Sequence, residues 1–179
     1  MILPTAPKRF TTLYGAEGNA WADVYTFNAS NEDVNKLINL RSAQENTEKL
    51  NVLIDQEIDE LGGDSTKCFI GGFSMGATQA SYVWKQYKKT LGGLIIYSSH
   101  AIKNLAVAKE QEYSPVFWTH GLDDCVMLYK HGVFNNSNLE NGKRRFFQIT
   151  REGLGHAVDS VIKVETHRFL ERFSTKPKL

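Results

Sequence analysis

Apolar residues follow two different rhythms along this chain. From 43 to 61 they recur at three- and four-residue steps (Ala43, Leu50, Ile54, Ile58 and Leu61, with Thr47 in the same row), and charges fill the gaps. That is the spacing of an amphipathic helix, and Gly62-Gly63 closes it. Helical spacing returns over 75–89 through Ala77, Ala80, Val83, Trp84 and Tyr87. It returns again from Val158 to Phe173 in a closing amphipathic helix. Short unbroken apolar runs stand between these stretches, at 68–73, 94–98, 115–119 and 145–149, and read as buried strands. Ile2-Leu3 reads as the end of a further strand, stopped by Pro4 and Pro7. Residues 8–33 keep no period and read as a long loop, with a polar run from Asn28 to Asp33. The stretch 130–141 is polar and only weakly helical, and 174–179 is a polar tail.

Continuous apolar strands that alternate with helices predict an α/β fold: a mostly parallel sheet with helices on both faces. No internal repeat and no shift in composition divides the chain, so 1–179 reads as one domain.

Composition narrows the function. The 179 residues hold 21 Lys plus Arg against 20 Asp plus Glu, a net charge of +1, which offers no nucleic-acid surface and no polybasic membrane patch. Mean hydropathy is −0.36, and the longest apolar run, around Leu94-Ile95-Ile96-Tyr97, is far too short to span a bilayer. The N-terminus lacks the basic-then-apolar order of a signal peptide, and the two cysteines, Cys68 and Cys125, are too few for a disulfide scaffold. The expected compartment is the cytoplasm. Pro177-Lys178-Leu179 only loosely resembles a peroxisomal signal. The glycosylation sequons at Asn28 and Asn135 carry no weight without a secretory signal.

The sharpest chemical feature is Gly72-Phe73-Ser74-Met75-Gly76. It follows a strand and opens a helix, as a nucleophile elbow requires. The turn is tight, so its neighbours must be small, and glycine meets that need. Such an elbow lifts the Ser74 hydroxyl above the sheet. It also leaves the Met75 N–H at a helix N-terminus, ready to donate to an oxyanion. A serine needs a base, and in this arrangement acid and base follow in the order Ser, Asp, His. His120-Gly121-Leu122-Asp123-Asp124 follows the next-but-one strand, and Gly153-Leu154-Gly155-His156 follows the last. Ser74, Asp124 and His156 are therefore the expected triad, with Asp123 as the rival acid and His100 as the rival base. His120 reads as a brace for its loop, and His131 and His167 as helix-surface residues. The His and Asp spacings fit no zinc pattern. Cys125 reads as a small buried hydrophobe, Trp84, Trp118 and Phe146-Phe147 as core, and Lys88-Lys89 and Lys143-Arg144-Arg145 as solvated surface.

These motifs together resemble the acyl-protein thioesterases and their carboxylesterase/lysophospholipase relatives in the α/β-hydrolase superfamily. The similarity runs from about Leu3 to Phe173. Gly71-Gly72-Phe73-Ser74-Met75-Gly76 is similar to the family's G-G-F-S-Q-G, with Met75 in place of glutamine. His120-Gly121 through Asp124 and Gly153 to His156 are similar to its H-G-x-x-D and G-x-x-H segments, and Trp21-Ala22-Asp23 to its Trp-containing loop. The resemblance implies a serine esterase or thioesterase acting on small esters, lysophospholipids or S-acylated proteins. It implies no cofactor, and a monomer or weak homodimer. It places Trp21 and Phe73 against the substrate, Trp21 in the wall of an acyl channel. It also implies a further strand, a His-Gly-x-Gly oxyanion loop and a helix ahead of Leu3, which this sequence does not show. The strand that carries the nucleophile is thus expected to lack a neighbour, unless residues 1–4 fill the place. A catalytically weak domain that only binds an acyl ligand is the alternative.

Overall fold

The computed structural model describes residues 1–26 and 37–174. The Asn28 sequon, the polar run from Asn28 and the C-terminal tripeptide lie outside the described residues. A hairpin comes first, β1 (Lys8–Thr11) paired antiparallel with β2 (Ala16–Asn19). Then follow α1 (Leu40–Glu60), β3 (Phe69–Phe73), α2 (Met75–Gln86), β4 (Gly93–Tyr97), β5 (Val116–Gly121), α3 (Tyr129–Asn136), β6 (Phe146–Arg151) and α4 (Ser160–Ser174). The sheet is parallel, in the order β3-β4-β5-β6.

Alternation within the strands sorts the side chains between two faces. Leu94, Ile96, Val116 and Trp118 pack with Val83 and Trp84 of α2 and Ile54 and Ile58 of α1. Ile95 and Phe117 face the other way and meet Phe169 of α4, with Phe147 and Phe173 around them. The Phe169 ring lies 5.3 Å from Phe117 and 5.7 Å from Phe147, inside the favourable range for aromatic pairs. A third cluster joins Ala22, Leu37 and Ile38 to Ala43 of α1, Tyr82 of α2 and Ile102. Asn39 caps α1, its side chain accepting from the Ser42 N–H at 3.2 Å, so the helix starts three residues before its first periodic position.

Several sequence expectations change. The supposed loop at 8–33 contains the hairpin, and residues 1–7 form no strand. Residues 1–4 do not complete the sheet. Among the described residues no backbone hydrogen bond joins them to β3. Ile2, Leu3 and Pro4 instead line a groove along the outer edge of β3 with Leu50 and Ile70. β3 is thus an edge strand among the described residues, and its side chains are only half-buried. Cys125 is exposed rather than buried. His131 and Arg144 are buried rather than solvated. The Arg144 guanidinium lies 5.0 Å from the Trp84 ring and donates to the Leu139 carbonyl at 2.8 Å. Asn135 of the second sequon is buried, its amide donating to the His131 carbonyl at 2.9 Å.

Lys85 is an unforeseen buried cation on α2. Its ammonium donates to the Ile102 carbonyl at 2.7 Å, the Leu105 carbonyl at 3.2 Å and Asn138 Oδ1 at 3.3 Å. It thereby ties α2 to the loop after β4. Burial first, and the Arg144 charge second, push its pKa from 10.5 down to about 7. Between pH 7 and 10 the unfolded chain therefore holds a proton on Lys85 that the folded chain has released, so stability rises with pH across that window. The urea midpoint is expected to increase from pH 7 to pH 9 in the parent and to stay flat in Lys85→Met. Parallel curves for the two chains would remove Lys85 as the source.

Candidate active site

Ser74 sits between β3 and α2 with φ 55° and ψ −129°, a conformation that costs a residue with a side chain about 1–3 kcal/mol. β4 on one side and the first turn of α2 hold it there. The Ser74 N–H donates to the Tyr97 carbonyl at 3.0 Å, and the Ser74 carbonyl accepts from the N–H groups of Ala77 and Thr78. The two motif glycines differ in necessity. A Cβ on Gly72 would stand 2.4 Å from the Gly76 carbonyl carbon, so no side chain fits. A Cβ on Gly76 would meet only the Trp21 ring, at an ordinary 3.6 Å. The tight turn thus demands one glycine where the sequence reading expected two. Among the described residues the Met75 N–H, in the first turn of α2, takes no backbone partner.

Three chain segments converge on Ser74. His156 Nε2 lies 2.9 Å from Ser74 Oγ, and its Nδ1 lies 2.8 Å from Asp124 Oδ2. Asp124 is buried, and Oδ1 accepts from the N–H groups of Val126 at 2.9 Å and Met127 at 2.8 Å. With the proton on His156 Nδ1, the carboxylate fixes the ring and Nε2 is free to accept from the serine hydroxyl. Asp123 is exposed and makes no such contact; its backbone N–H donates to the Leu154 carbonyl at 3.1 Å. His100 is buried and stands outside this chain of hydrogen bonds.

His120 braces the acid from below. Its Nε2 lies 2.5 Å from the Met127 carbonyl and 3.4 Å from Asp124 Oδ2. Burial pushes its pKa below the ordinary value, which keeps the ring neutral near pH 7. It therefore adds no positive charge to compete with His156 for the carboxylate. Trp118 and Tyr129 enclose it at ring distances of 5.8 and 5.9 Å.

The two residues expected to meet substrate both line the groove along β3. The Phe73 ring stacks on His156 with centroids 4.6 Å apart, and Phe73 is exposed. Trp21 lies in the groove outside β3, against Gly76. Its backbone carbonyl accepts from the Asn46 amide. The enclosed apolar pocket beside the serine begins at Met75, and its wall starts at Ala22, one residue beyond Trp21. Val24, Leu37, Ile38 and Tyr82 continue that wall. Gln79 and His100 also line this pocket; the sequence offered His100 only as a rival base, and Gln79 did not stand out in it.

Known proteins resemble this chain in sequence and in fold. Residues 1–173 match the profile of the phospholipase/carboxylesterase family. Acyl-protein thioesterase 1 of Schizosaccharomyces pombe is 38% identical over 98% of this chain and 79% of its own length. Acyl-protein thioesterase 1 of Neurospora crassa is 28% identical over 87% of this chain, and mouse lysophospholipase-like protein 1 is 28% identical over 79% of it. The chain spans 66% and 59% of the length of those two relatives. The crystal structure of Arabidopsis thaliana SOBER1 superposes with a TM-score of 0.81 at 26% identity, covering 96% of this chain and 82% of that one.

Proposed function

Because the chain belongs to the phospholipase/carboxylesterase family, with an α/β-hydrolase-like fold, we propose that it is a serine hydrolase of carboxylic esters or acyl thioesters. The observation that carries this reading is the continuous hydrogen-bonded chain Ser74 Oγ, His156, Asp124, at 2.9 and 2.8 Å. Ser74 attacks the acyl carbonyl while His156 Nε2 takes its proton. Asp124 holds the imidazole in place and stabilises its charged form. The Met75 N–H donates to the oxyanion from the first turn of α2, whose dipole favours negative charge there. His156 then protonates the leaving thiolate or alkoxide. Water, deprotonated by the same ring, hydrolyses the acyl-enzyme. The names of the relatives point to acyl thioesters, lysophospholipids or small esters as substrates. The apolar wall that begins at Met75 meets the acyl group beside its carbonyl. Among the described residues no helix is long and apolar enough to cross a membrane.

One observation favours a second reading, a catalytically weak domain that binds acyl ligands. The nucleophile strand lies at the sheet edge, and Met75 is the one oxyanion donor assigned. Removing one donor of two costs about 10²–10³-fold in other hydrolases.

Labelling with a fluorophosphonate probe separates the two readings, since only a serine activated by its base reacts rapidly. The parent chain is expected to label within minutes and Ser74→Ala not at all. A folded parent chain that stays unlabelled would overturn the hydrolase reading and leave the ligand binder.

A further inference from the structure

The chemistry at Ser74 puts a positive charge on His156, and an aromatic ring already lies against that imidazole. Phe73 is the last residue of β3, in register with Tyr97 of β4. The Ser74 N–H that follows it donates to the Tyr97 carbonyl at 3.0 Å, so the strand that places the nucleophile also places the ring. His156 arrives from the turn after β6, at the other edge of the sheet. The two ring centroids are 4.6 Å apart and the planes are tilted by 43°. That lies inside the roughly 6 Å over which an aromatic face attracts a cation. Phe73 is exposed and belongs to none of the three apolar clusters among the described residues. Core packing therefore does not account for its place.

The hydrogen bonds of the imidazole run along its own plane, Nδ1 to Asp124 and Nε2 to Ser74 Oγ. They leave its faces to packing, and Phe73 supplies a contact there. The face of a benzene ring is negative, so it attracts an imidazolium more than a neutral imidazole. As Ser74 Oγ bonds to the acyl carbon, its proton passes to Nε2 and the carbonyl π pair moves to oxygen. The charged ring thus develops at the transition state. A contact that is stronger there than in the resting enzyme lowers the barrier. We propose that Phe73 is a positioning residue for His156, holding the imidazole toward Ser74 and stabilising its protonated form through the aromatic face. The proposal rests on the serine-hydrolase reading of Ser74 and gives Phe73 a part in it beyond contact with substrate.

The test replaces Phe73 in the full chain with mono-, di- and trifluorophenylalanine. The ring nearly keeps its shape while each fluorine weakens its negative face. On p-nitrophenyl esters kcat is expected to fall stepwise, about two- to fivefold in all, the size of such a contact at a part-exposed site. KM is expected to hold, and the factor to be the same for short and long acyl chains. Phe73→Leu is expected to lose at least as much, and Phe73→Tyr, which keeps an aromatic face, to stay within about twofold of the parent. A second readout needs no turnover. In Ser74→Ala the His156 imidazole, followed by NMR, is expected to take up its proton at progressively lower pH along the same series. Asp124, and His120 at 3.4 Å from its carboxylate, are common to every member and cannot produce that trend. A kcat that stays level along the series, or losses confined to KM, would overturn the proposal and leave the hydrolase reading in place. A parent that hydrolyses no ester while the titration still moves would overturn the hydrolase reading and support the contact. Neither hydrolysis nor movement would overturn both.

Discussion

Asp124→Asn is expected to lower kcat on an activated ester about 10⁴-fold while the chain stays folded. The asparagine oxygen can still accept from the Val126 and Met127 N–H groups that hold the carboxylate today. Its amide nitrogen then faces His156 Nδ1, which now lies 2.8 Å from a carboxylate oxygen. Two donors cannot share that line, so the imidazole moves its proton to Nε2. An Nε2–H pointing at Ser74 Oγ cannot take the serine proton, and the nucleophile stays inert. Asp123→Asn is the control. That side chain is exposed and outside the hydrogen-bonded chain, so its loss should change kcat less than about threefold, as surface substitutions usually do. Steady-state kinetics with a melting curve on each variant decide the matter. Equal losses from the two substitutions would mean that the acid has been misassigned.

The second large effect belongs to a residue with no chemistry of its own. Gly121 ends β5, and a Cβ there would stand 2.1 Å from the Leu154 carbonyl oxygen and 2.5 Å from that of Gly155. Both belong to the turn that delivers His156. Backbone bonds tie the two segments together, Leu122 N–H to the Arg151 carbonyl at 2.9 Å and Asp123 N–H to the Leu154 carbonyl at 3.1 Å. Gly121→Ala therefore has no flexible neighbour to displace and must push the His156 turn away from the sheet. A shift of about 1 Å in a catalytic group costs on the order of 10² in rate. Forcing extra atoms into a packed place costs about 1–3 kcal/mol of stability. The expected result is a stable but poor enzyme, with kcat down about 10²-fold and a lowered melting temperature. An alanine variant with full activity would show that the His156 turn is not seated by this contact.

Local pattern determined much of this molecule. The three long helices follow from apolar steps of three and four, and the four sheet strands from apolar runs too short and too β-rich for anything else. Parallel order follows from their alternation. The elbow was legible because its steric demand is local: a strand, a small residue, a serine and a helix start, all within a few positions. Asp124 and His156 were legible as loops after successive strands, since parallel topology brings those loops to one edge.

Other features depend on neighbours distant in sequence. The β1–β2 hairpin was invisible because Ala16–Asn19 is wholly exposed and is held by backbone ladder bonds, which leave no hydrophobic rhythm. The choice of Asp124 over Asp123 turns on which way adjacent side chains face after a strand ends, and strand periodicity stops there. Arg144 looked like a solvated cation, and Lys85 went unread, because charge is the only local signal. The Ile102 carbonyl that receives Lys85 and the Trp84 ring beside Arg144 come from residues far away in sequence. The contact of Phe73 with His156 is likewise a property of packing, since one ring ends β3, the other follows β6, and only the closed sheet brings them together.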